Sequence, residues 1–461
     1  MFKLTSIALA SAVVFVTAVS PPSARAAEPT PDFSSLIRFN VEKFKMPNGL
    51  TVLLHEDHSA PIISYQTWFR VGSKNEEPGF TGIAHLFEHM MFKGARRYSG
   101  EQFDTILQSN GAVNNAFTTQ DYTGYYENLP SSKLELVMDI ESDRMDGLQV
   151  TAENLKSERE VVKEERRFRV DNNPLGVLRE VLFGTAFKVH PYKWPVIGYM
   201  VDIDNITLEK AVEFYHTYYA PNNAVVVIAG DFDSAEAKRL LNKYYSGIKS
   251  QTIPDKPRAA EPMQTSLRGV NVEKDVQSNQ FAITYHTPKA GSDESYALDL
   301  VANIMGSGAS SRLYQRLVYK DQTVANATAY NLTLQEEGLF QVFVTMKPGV
   351  APKKAIEAVK AEMWRPRNLA VSDAELTKSK NQVMKGYVDS LKTVHGRAEA
   401  LALNETLFGD YERLFKDLTM YQAVTKQQIQ KAAAKYLTPD KSTIATLRPK
   451  NAPSKKKGGR K

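Results

Sequence analysis

The chain contains no cysteine, so disulfides and thiolate metal ligands are both closed to it, and any metal site must be assembled from histidine and carboxylate. Long hydrophobic runs are scarce as well. Ile7 to Val19 is the longest candidate, and it is shorter than the roughly 20 residues a spanning helix needs, so no membrane span is expected. The glycine-rich Gly306-Ser307-Gly308-Ala309-Ser310-Ser311 lacks the Gly-Lys-Ser/Thr ending of a phosphate loop. A basic body is missing too, despite a net charge of +6 and a pI near 9.0. Lys3 and Arg25 lie in the first 26 residues, and seven basic residues with no acid fill Arg448 to Lys461. That leaves 49 basic residues against 52 acidic between them. The high pI therefore reports the ends of the chain and not a nucleic-acid-binding face.

The two ends read as segments outside the fold. Residues 1–26 combine a positive start at Lys3, the apolar run and a small-x-small site at Ala24-Arg25-Ala26, which predicts a signal peptide and export to a bacterial periplasm. The segment is neither arginine-rich nor amphipathic, unlike a mitochondrial presequence. Residues 448–461 read as a basic, solvated tail. The 461 residues are too many for one core, and 42% hydrophobic with 24% charged content is ordinary for a soluble protein. Alternating strand and helix patterns on both sides of the proline-rich stretch 251–262 predict an α/β fold with domains at 30–250 and 263–447, joined by that linker.

The most informative stretch is His85-Leu86-Phe87-Glu88-His89. Two histidines four apart on a helix project from one face and can grip one metal ion. Glu88 then stands beside the ion without ligating it, where a general base for the attacking water belongs. Three fixed positions recur by chance, and the flanks decide the matter. Gly82-Ile83-Ala84 before and Met90-Met91-Phe92-Lys93-Gly94 after make a string that closely resembles the active-site helix of the pitrilysin family of zinc metallopeptidases, inverted zincins, and in particular its short-subunit branch that includes the mitochondrial processing peptidases.

A zinc site needs a third protein ligand, and the charged helix of residues 152–166 offers five glutamates for it. Glu158 and Glu165, two turns apart, share a face, whereas Glu164 points about 100° away. The family pattern E-R-x-V-x-x-x-E matches Glu158 through Glu165 position by position. The resemblance implies one Zn2+ per chain on His85, His89 and Glu165, with Glu158 as an acid that orients the site. It also covers Met46-Pro47-Asn48-Gly49, a first hairpin, and the Asn-Ala-x-Thr strand on whose open edge relatives hold peptide substrate. Asn115, Ala116 and Phe117 occupy those positions here. The implied fold is two homologous domains, each a mixed sheet faced by helices, forming half of a clamshell.

One departure is informative. Active relatives carry an arginine, and seven residues later a tyrosine, shortly after the segment matched by Ser310-Ser311-Arg312-Leu313; the pair holds substrate and stabilises the oxyanion. In this register the positions are Val318 and Ala325, which cannot donate a side-chain hydrogen bond. Arg316, Tyr319 and Tyr330 are nearby but out of register. The intact zinc set without the pair resembles the zinc-bearing half of two-subunit bacterial enzymes, whose homologous partner lacks the zinc motif. The expected function is a zinc endopeptidase for short or unfolded peptides; the other class is a non-catalytic assembly subunit of the same fold. His55 and His58 sit near Glu56 and Asp57 at the end of the first hairpin, and His190, His216, His286 and His395 stand among residues that suggest no ligand set.

Overall fold

A computed structural model describes residues 37–255 and 259–450; the signal-like segment 1–26 and the tail beyond Lys450 lie outside the described residues. The strands are β1 (Glu42–Lys45), β2 (Thr51–Glu56), β3 (Ile62–Phe69), β4 (Val113–Thr118), β5 (Thr123–Pro130), β6 (Ala224–Gly230), β7 (Arg268–Lys274), β8 (Gln280–Thr287), β9 (Val324–Leu332), β10 (Gly338–Met346) and β11 (Ser442–Pro449). The helices of the first half are α1 (Ile83–Met90), α2 (Gly100–Ser109), α3 (Leu134–Gly147), α4 (Ala152–Arg166), α5 (Pro174–Ala186), α6 (Met200–Asn205), α7 (Leu208–Tyr218) and α8 (Ser234–Tyr245). Those of the second half are α9 (Asp293–Gly306), α10 (Lys353–Asn368), α11 (Asp373–Ser390), α12 (Val394–Phe408), α13 (Arg413–Ala423) and α14 (Lys426–Tyr436). No described helix is long and apolar enough to cross a membrane. Arg448 and Pro449, expected in the tail, instead close β11, where they pair with Glu273 and Lys274 of β7.

Two mixed sheets result. The first runs β1-β2-β6-β3-β5-β4 and the second β7-β11-β8-β10-β9. In the first, β2 and β6 are parallel, and the following pairs β6–β3, β3–β5 and β5–β4 are antiparallel. In the second, β7 and β11 are parallel, and β11–β8, β8–β10 and β10–β9 are antiparallel. The five shared strands follow one order and one set of directions, with β1 as the addition to the first sheet. This is an internal repeat that few shared letters betray.

The packing crosses between the repeats. β6, Ala-Val-Val-Val-Ile-Ala-Gly, is buried along its whole length, as a strand covered on both faces must be. One face of its sheet packs on first-half elements through a core that includes Leu86, Phe87, Val137 and Leu240. The other face, with Leu53, Trp68, Val225 and Val227, is covered by second-half residues Met384, Val394, Ala398 and Leu401, mostly from α12. Reciprocally, Leu178 and Leu182 of α5 cover Ala282, Phe343, Ala445 and Leu447 of the second sheet. α5 and α12 occupy equivalent places in the repeat, so each half lends the same helix to the other.

Polar contacts reinforce the exchange. His286 Nε2 lies 2.9 Å from the Ala186 carbonyl at the end of α5, His190 Nε2 lies 2.8 Å from Glu336, and His395 packs its ring on Tyr126. A buried Lys74–Asp121 pair at 2.7 Å is joined by Tyr192, whose hydroxyl donates to Asp121, and by the Gln335 backbone N–H at 2.9 Å.

Each apolar side chain fully buried in these faces stabilises the fold by about 1.5–3 kcal/mol relative to exposure. Chains cut within the 251–262 stretch are therefore expected to be insoluble, or to bind a hydrophobic dye, when the halves are expressed separately, and to give a monodisperse particle when co-expressed. A well-folded, dye-silent first half on its own would contradict the exchange.

Candidate metal centre

Helix α1 is only eight residues long, and its start is fixed by neighbours and not by its own cap side chain. Gly82 precedes it at φ 92°, and a Cβ there would stand 2.6 Å from the Ile197 carbonyl oxygen, so only glycine fits. The buried Glu76 carboxylate accepts the backbone N–H groups of Gly82 and Ala84, each at 3.0 Å, satisfying donors that a helix start leaves open. Burial nevertheless raises the Glu76 pKa well above the usual carboxylate range.

Helix α4 approaches α1 with a buried stripe of Leu155, Glu158, Val162 and Arg166. Thr151 caps it by accepting the Asn154 N–H at 3.1 Å. Arg159 ties it to the carbonyls of Asp204 and Ile206, and Arg166 reaches the Gly198 carbonyl at 2.7 Å and Glu180 at 2.8 Å. These anchors orient the glutamates. Glu164 faces solvent and pairs with Arg167, while Glu165 turns toward α1.

Glu165 Oε2 lies 3.5 Å from His85 Nε2 and 3.2 Å from His89 Nε2. Ligands at about 2.0–2.1 Å from one ion with tetrahedral angles stand about 3.4 Å apart, so the set fits a zinc-type ion. The fit has a second sign. Glu165 Oε2 is buried and makes no hydrogen bond, whereas its other oxygen takes Arg169 Nε at 2.8 Å. Glu158 stands behind His89, with Oε2 at 3.5 Å from Nδ1 and Oε1 at 2.9 Å from Lys93 Nζ. Glu88 does not join the ligand atoms; it accepts a hydrogen bond from the Thr118 hydroxyl of β4 at 2.7 Å. Among the described residues, His85, His89 and Glu165 are the one such group. His58 is held instead between Asp231 and Glu56.

The charges divide the two imidazoles. Burial, aided by His89, lowers the His85 pKa to about 4. Burial acts downward on His89 too, but Glu158 and Glu165 outweigh it and raise its pKa to about 9. Burial also raises the Glu88 carboxyl above its ordinary value, against the Thr118 hydrogen bond.

All four groups open into a cleft of about 1080 Å³ that also exposes Asn115, Ala116 and Phe117 of the free edge strand β4. Val161 and Phe168 add apolar surface, Phe168 being 79% exposed in the wide-wound turn Arg167–Asp171 after α4. The lining also includes Tyr330 and Gln341 of the second half and Arg179 of α5. Arg179 and Gln341 carry no sequence signal, because the contacts span distant segments, whereas Tyr330 stood out in sequence only as a tyrosine out of register with the family's pair. Val318 is packed against the second core, Ala325 is exposed on β9, and neither lines the cleft.

The repeat carries no second centre. Counted from their capping residues Thr151 and Ser372, α4 and α11 place Leu155 opposite Leu376, Glu158 opposite Ser379 and Glu165 opposite Gly386. α9 contains no histidine.

Comparisons with known proteins agree with this division. Residues 51–213, which hold all four site residues, match the family described as insulinase (peptidase family M16), and residues 205–383 match the peptidase M16 inactive domain. The chain is 32% identical over 418 residues to a zinc protease of Helicobacter pylori, covering 88% of this chain and 93% of that one. A Bacillus subtilis protein named an uncharacterized zinc protease is 22% identical, covering 90% of this chain and 100% of that one. The crystal structure of a protease from Helicobacter pylori superposes with a TM-score of 0.86 at 30% identity, covering 89% of this chain and 100% of that one. A peptidase M16 inactive domain from Pseudomonas fluorescens, at TM-score 0.80 and 18% identity, shares the fold.

A metal that takes both imidazoles must displace the His89 proton, whereas His85 is already neutral. Affinity for Zn2+ is therefore expected to rise about tenfold per pH unit between about pH 6 and 8. Competition with a chromophoric chelator measures it, and a flat profile would show that His89 is neutral beforehand.

Proposed function

The chain belongs to peptidase family M16, and from that premise we propose that it is a zinc-dependent endopeptidase subunit acting on short or unfolded peptides held in the cleft. The observation that carries this reading is the convergence of His85 Nε2, His89 Nε2 and Glu165 Oε2 in a cleft that also presents a separate carboxylate and an open strand edge. Zinc held by these three residues would supply a Lewis acid for the scissile carbonyl and make water a better nucleophile. Glu88 accepts the proton of the attacking water and returns it to the leaving amine. Burial raises its pKa above the ordinary carboxylate value, which makes it a stronger proton acceptor than an exposed carboxylate, and Thr118 keeps that carboxylate aimed. Glu158 holds the His89 ring through Nδ1, leaving Nε2 for the metal. The β4 edge at Asn115, Ala116 and Phe117 takes substrate as an added strand, so backbone bonds bind and the cleft walls select side chains.

Two further parts of the reading concern assembly and place. We assign the chain to the bacterial periplasm on its signal-like segment. A homologous subunit without the zinc motif supplies the arginine and tyrosine that Val318 and Ala325 do not. A non-catalytic assembly role is disfavoured by retention of all three ligands and the base in one geometry.

Purified protein is expected to hold about one zinc per chain, and His89→Ala to lose it, because three ligands and an open position make the catalytic set. Glu88→Gln should keep the metal and lose roughly 10²–10⁴-fold in peptide hydrolysis. Metal analysis beside a fluorogenic peptide assay separates these effects; full zinc in His89→Ala or unchanged turnover in Glu88→Gln would remove that residue from its role.

The isolated chain is expected to be about 10²–10³-fold slower than its mixture with the homologous partner, the usual cost of one missing oxyanion donor. Equal rates at matched zinc content, with and without the partner, would show that this chain completes the site by itself.

A further inference from the structure

The cleft that holds the metal ligands is also lined by a cation with no anionic mate among the described residues. Arg166 and Arg169, its near neighbours in sequence, are paired with Glu180 and Glu165. Arg179 has no carboxylate partner among the described residues. Its recorded contacts are a hydrogen bond from Nη2 to the Tyr330 hydroxyl at 3.1 Å and a position 5.9 Å over the Phe343 ring. Tyr330 in turn stacks on Phe343, with centroids 5.9 Å apart and planes 6° from parallel, and donates its hydroxyl proton to Gln341 Oε1 at 3.1 Å. The guanidinium is thus fixed on one side by an aromatic shelf and one hydroxyl, with its remaining N–H groups uncommitted.

A second, independent donor lies beside it. Gln341 is fully buried, and its Nε2 is a buried amide with no hydrogen-bond partner. An unpaired buried donor costs about 1–3 kcal/mol, so a group that lines a cleft in this state is expected to be satisfied by what enters it. Arg179, Tyr330 and Gln341 all line the same cleft as His85, Glu88 and His89.

We propose that Arg179 and Gln341, positioned by Tyr330, form a carboxylate-binding subsite for the peptide substrate. The proposal rests on the peptidase reading and deepens it, by naming the chemistry of one substrate group. A planar guanidinium with free N–H groups matches a carboxylate better than it matches a neutral carbonyl, and the adjoining amide donor adds a third hydrogen bond. Two substrate groups share that chemistry, the free C-terminal α-carboxylate of a short peptide and an acidic side chain. The subsite thereby favours peptide ends or acidic segments over neutral interior segments.

Binding to the zinc-loaded Glu88→Gln protein, followed by fluorescence anisotropy, tests this without turnover. The probes are one labelled peptide sequence in three forms: free C-terminal carboxylate, C-terminal carboxamide, and carboxamide with one Asp replacing an Asn. Either carboxylate-bearing form is expected to bind about tenfold to hundredfold tighter than the neutral form, the range for a hydrogen bond to a charged group. Which form gains identifies the source of the carboxylate. Adding Arg179→Gln should make the three affinities converge, and Arg179→Lys should restore part of the preference. Tyr330→Phe should weaken it while leaving the charge in place. Equal affinities with Arg179 present, or a preference that survives Arg179→Gln, would overturn the subsite. Failure of the protein with Glu88 intact to hydrolyse any of the three peptides, alone or with its partner, would count against the peptidase reading and leave the binding result to decide the subsite.

Discussion

The structure depends on one packing constraint: each sheet has two apolar faces, and each half of the chain supplies enough helix to cover only one of its own. The second face of the first sheet is closed by α12, and that of the second sheet by α5. Leaving either face open would expose several fully buried side chains at about 1.5–3 kcal/mol each, comparable to the whole net stability of a domain. The exchange therefore locks the halves together. Its functional consequence follows from chain order, because α5 begins eight residues after Arg166, the end of α4. The helix carrying Glu165 is thus continuous, through one wide-wound turn, with a helix seated on the other sheet. The cleft accordingly has lining from both halves, with the metal ligands and Arg179 from the first and Tyr330 and Gln341 from the second.

The two copies differ at the ligand positions, so among the described residues there is one centre and not two. α4 and α11 begin with equivalent caps, Thr151 and Ser372, and each buries a leucine four residues later. Those features maintain helix position and were compatible with both copies. The charged positions differ: the buried Ser379 stands where the first copy has Glu158, and Gly386, with open space around it, stands where the first copy has Glu165. In the first copy the same burial is what gives the carboxylates their use, because Glu165 Oε2 is left pointing at two imidazole nitrogens with nothing else to bind.

Legibility in the sequence followed the range of the interaction. The His85–His89 spacing was readable because one helical turn fixes it. The hairpin of β1 and β2 was readable from Asn48-Gly49, and strand β4 from its alternation. Choosing Glu165 over Glu164 needed the family pattern; the physical reason, visible only in three dimensions, is that Arg159 and Arg166 pin α4 in one rotation and leave Glu164 outside. The repeat was illegible because strand order is a long-range property that any apolar letters satisfy. The helix exchange was illegible for the same reason, since an amphipathic helix does not state which sheet it will cover. His190, His286 and His395, which suggested nothing in sequence, lie at contacts between the halves.

The unequal protonation of the two histidines connects this architecture to chemistry. His85 is buried beside His89 and kept neutral, the form a metal requires. His89 faces two carboxylates, which favour its proton until a divalent cation takes over their compensation. Of these two acids, Glu158 lies against Nδ1 of the His89 ring, and Glu165 stands where it could serve as a ligand. His89 on α1 is therefore tied to Glu158 and Glu165 on α4, so the pairing that tunes its imidazole also joins the two helices at the face where the ligand atoms converge.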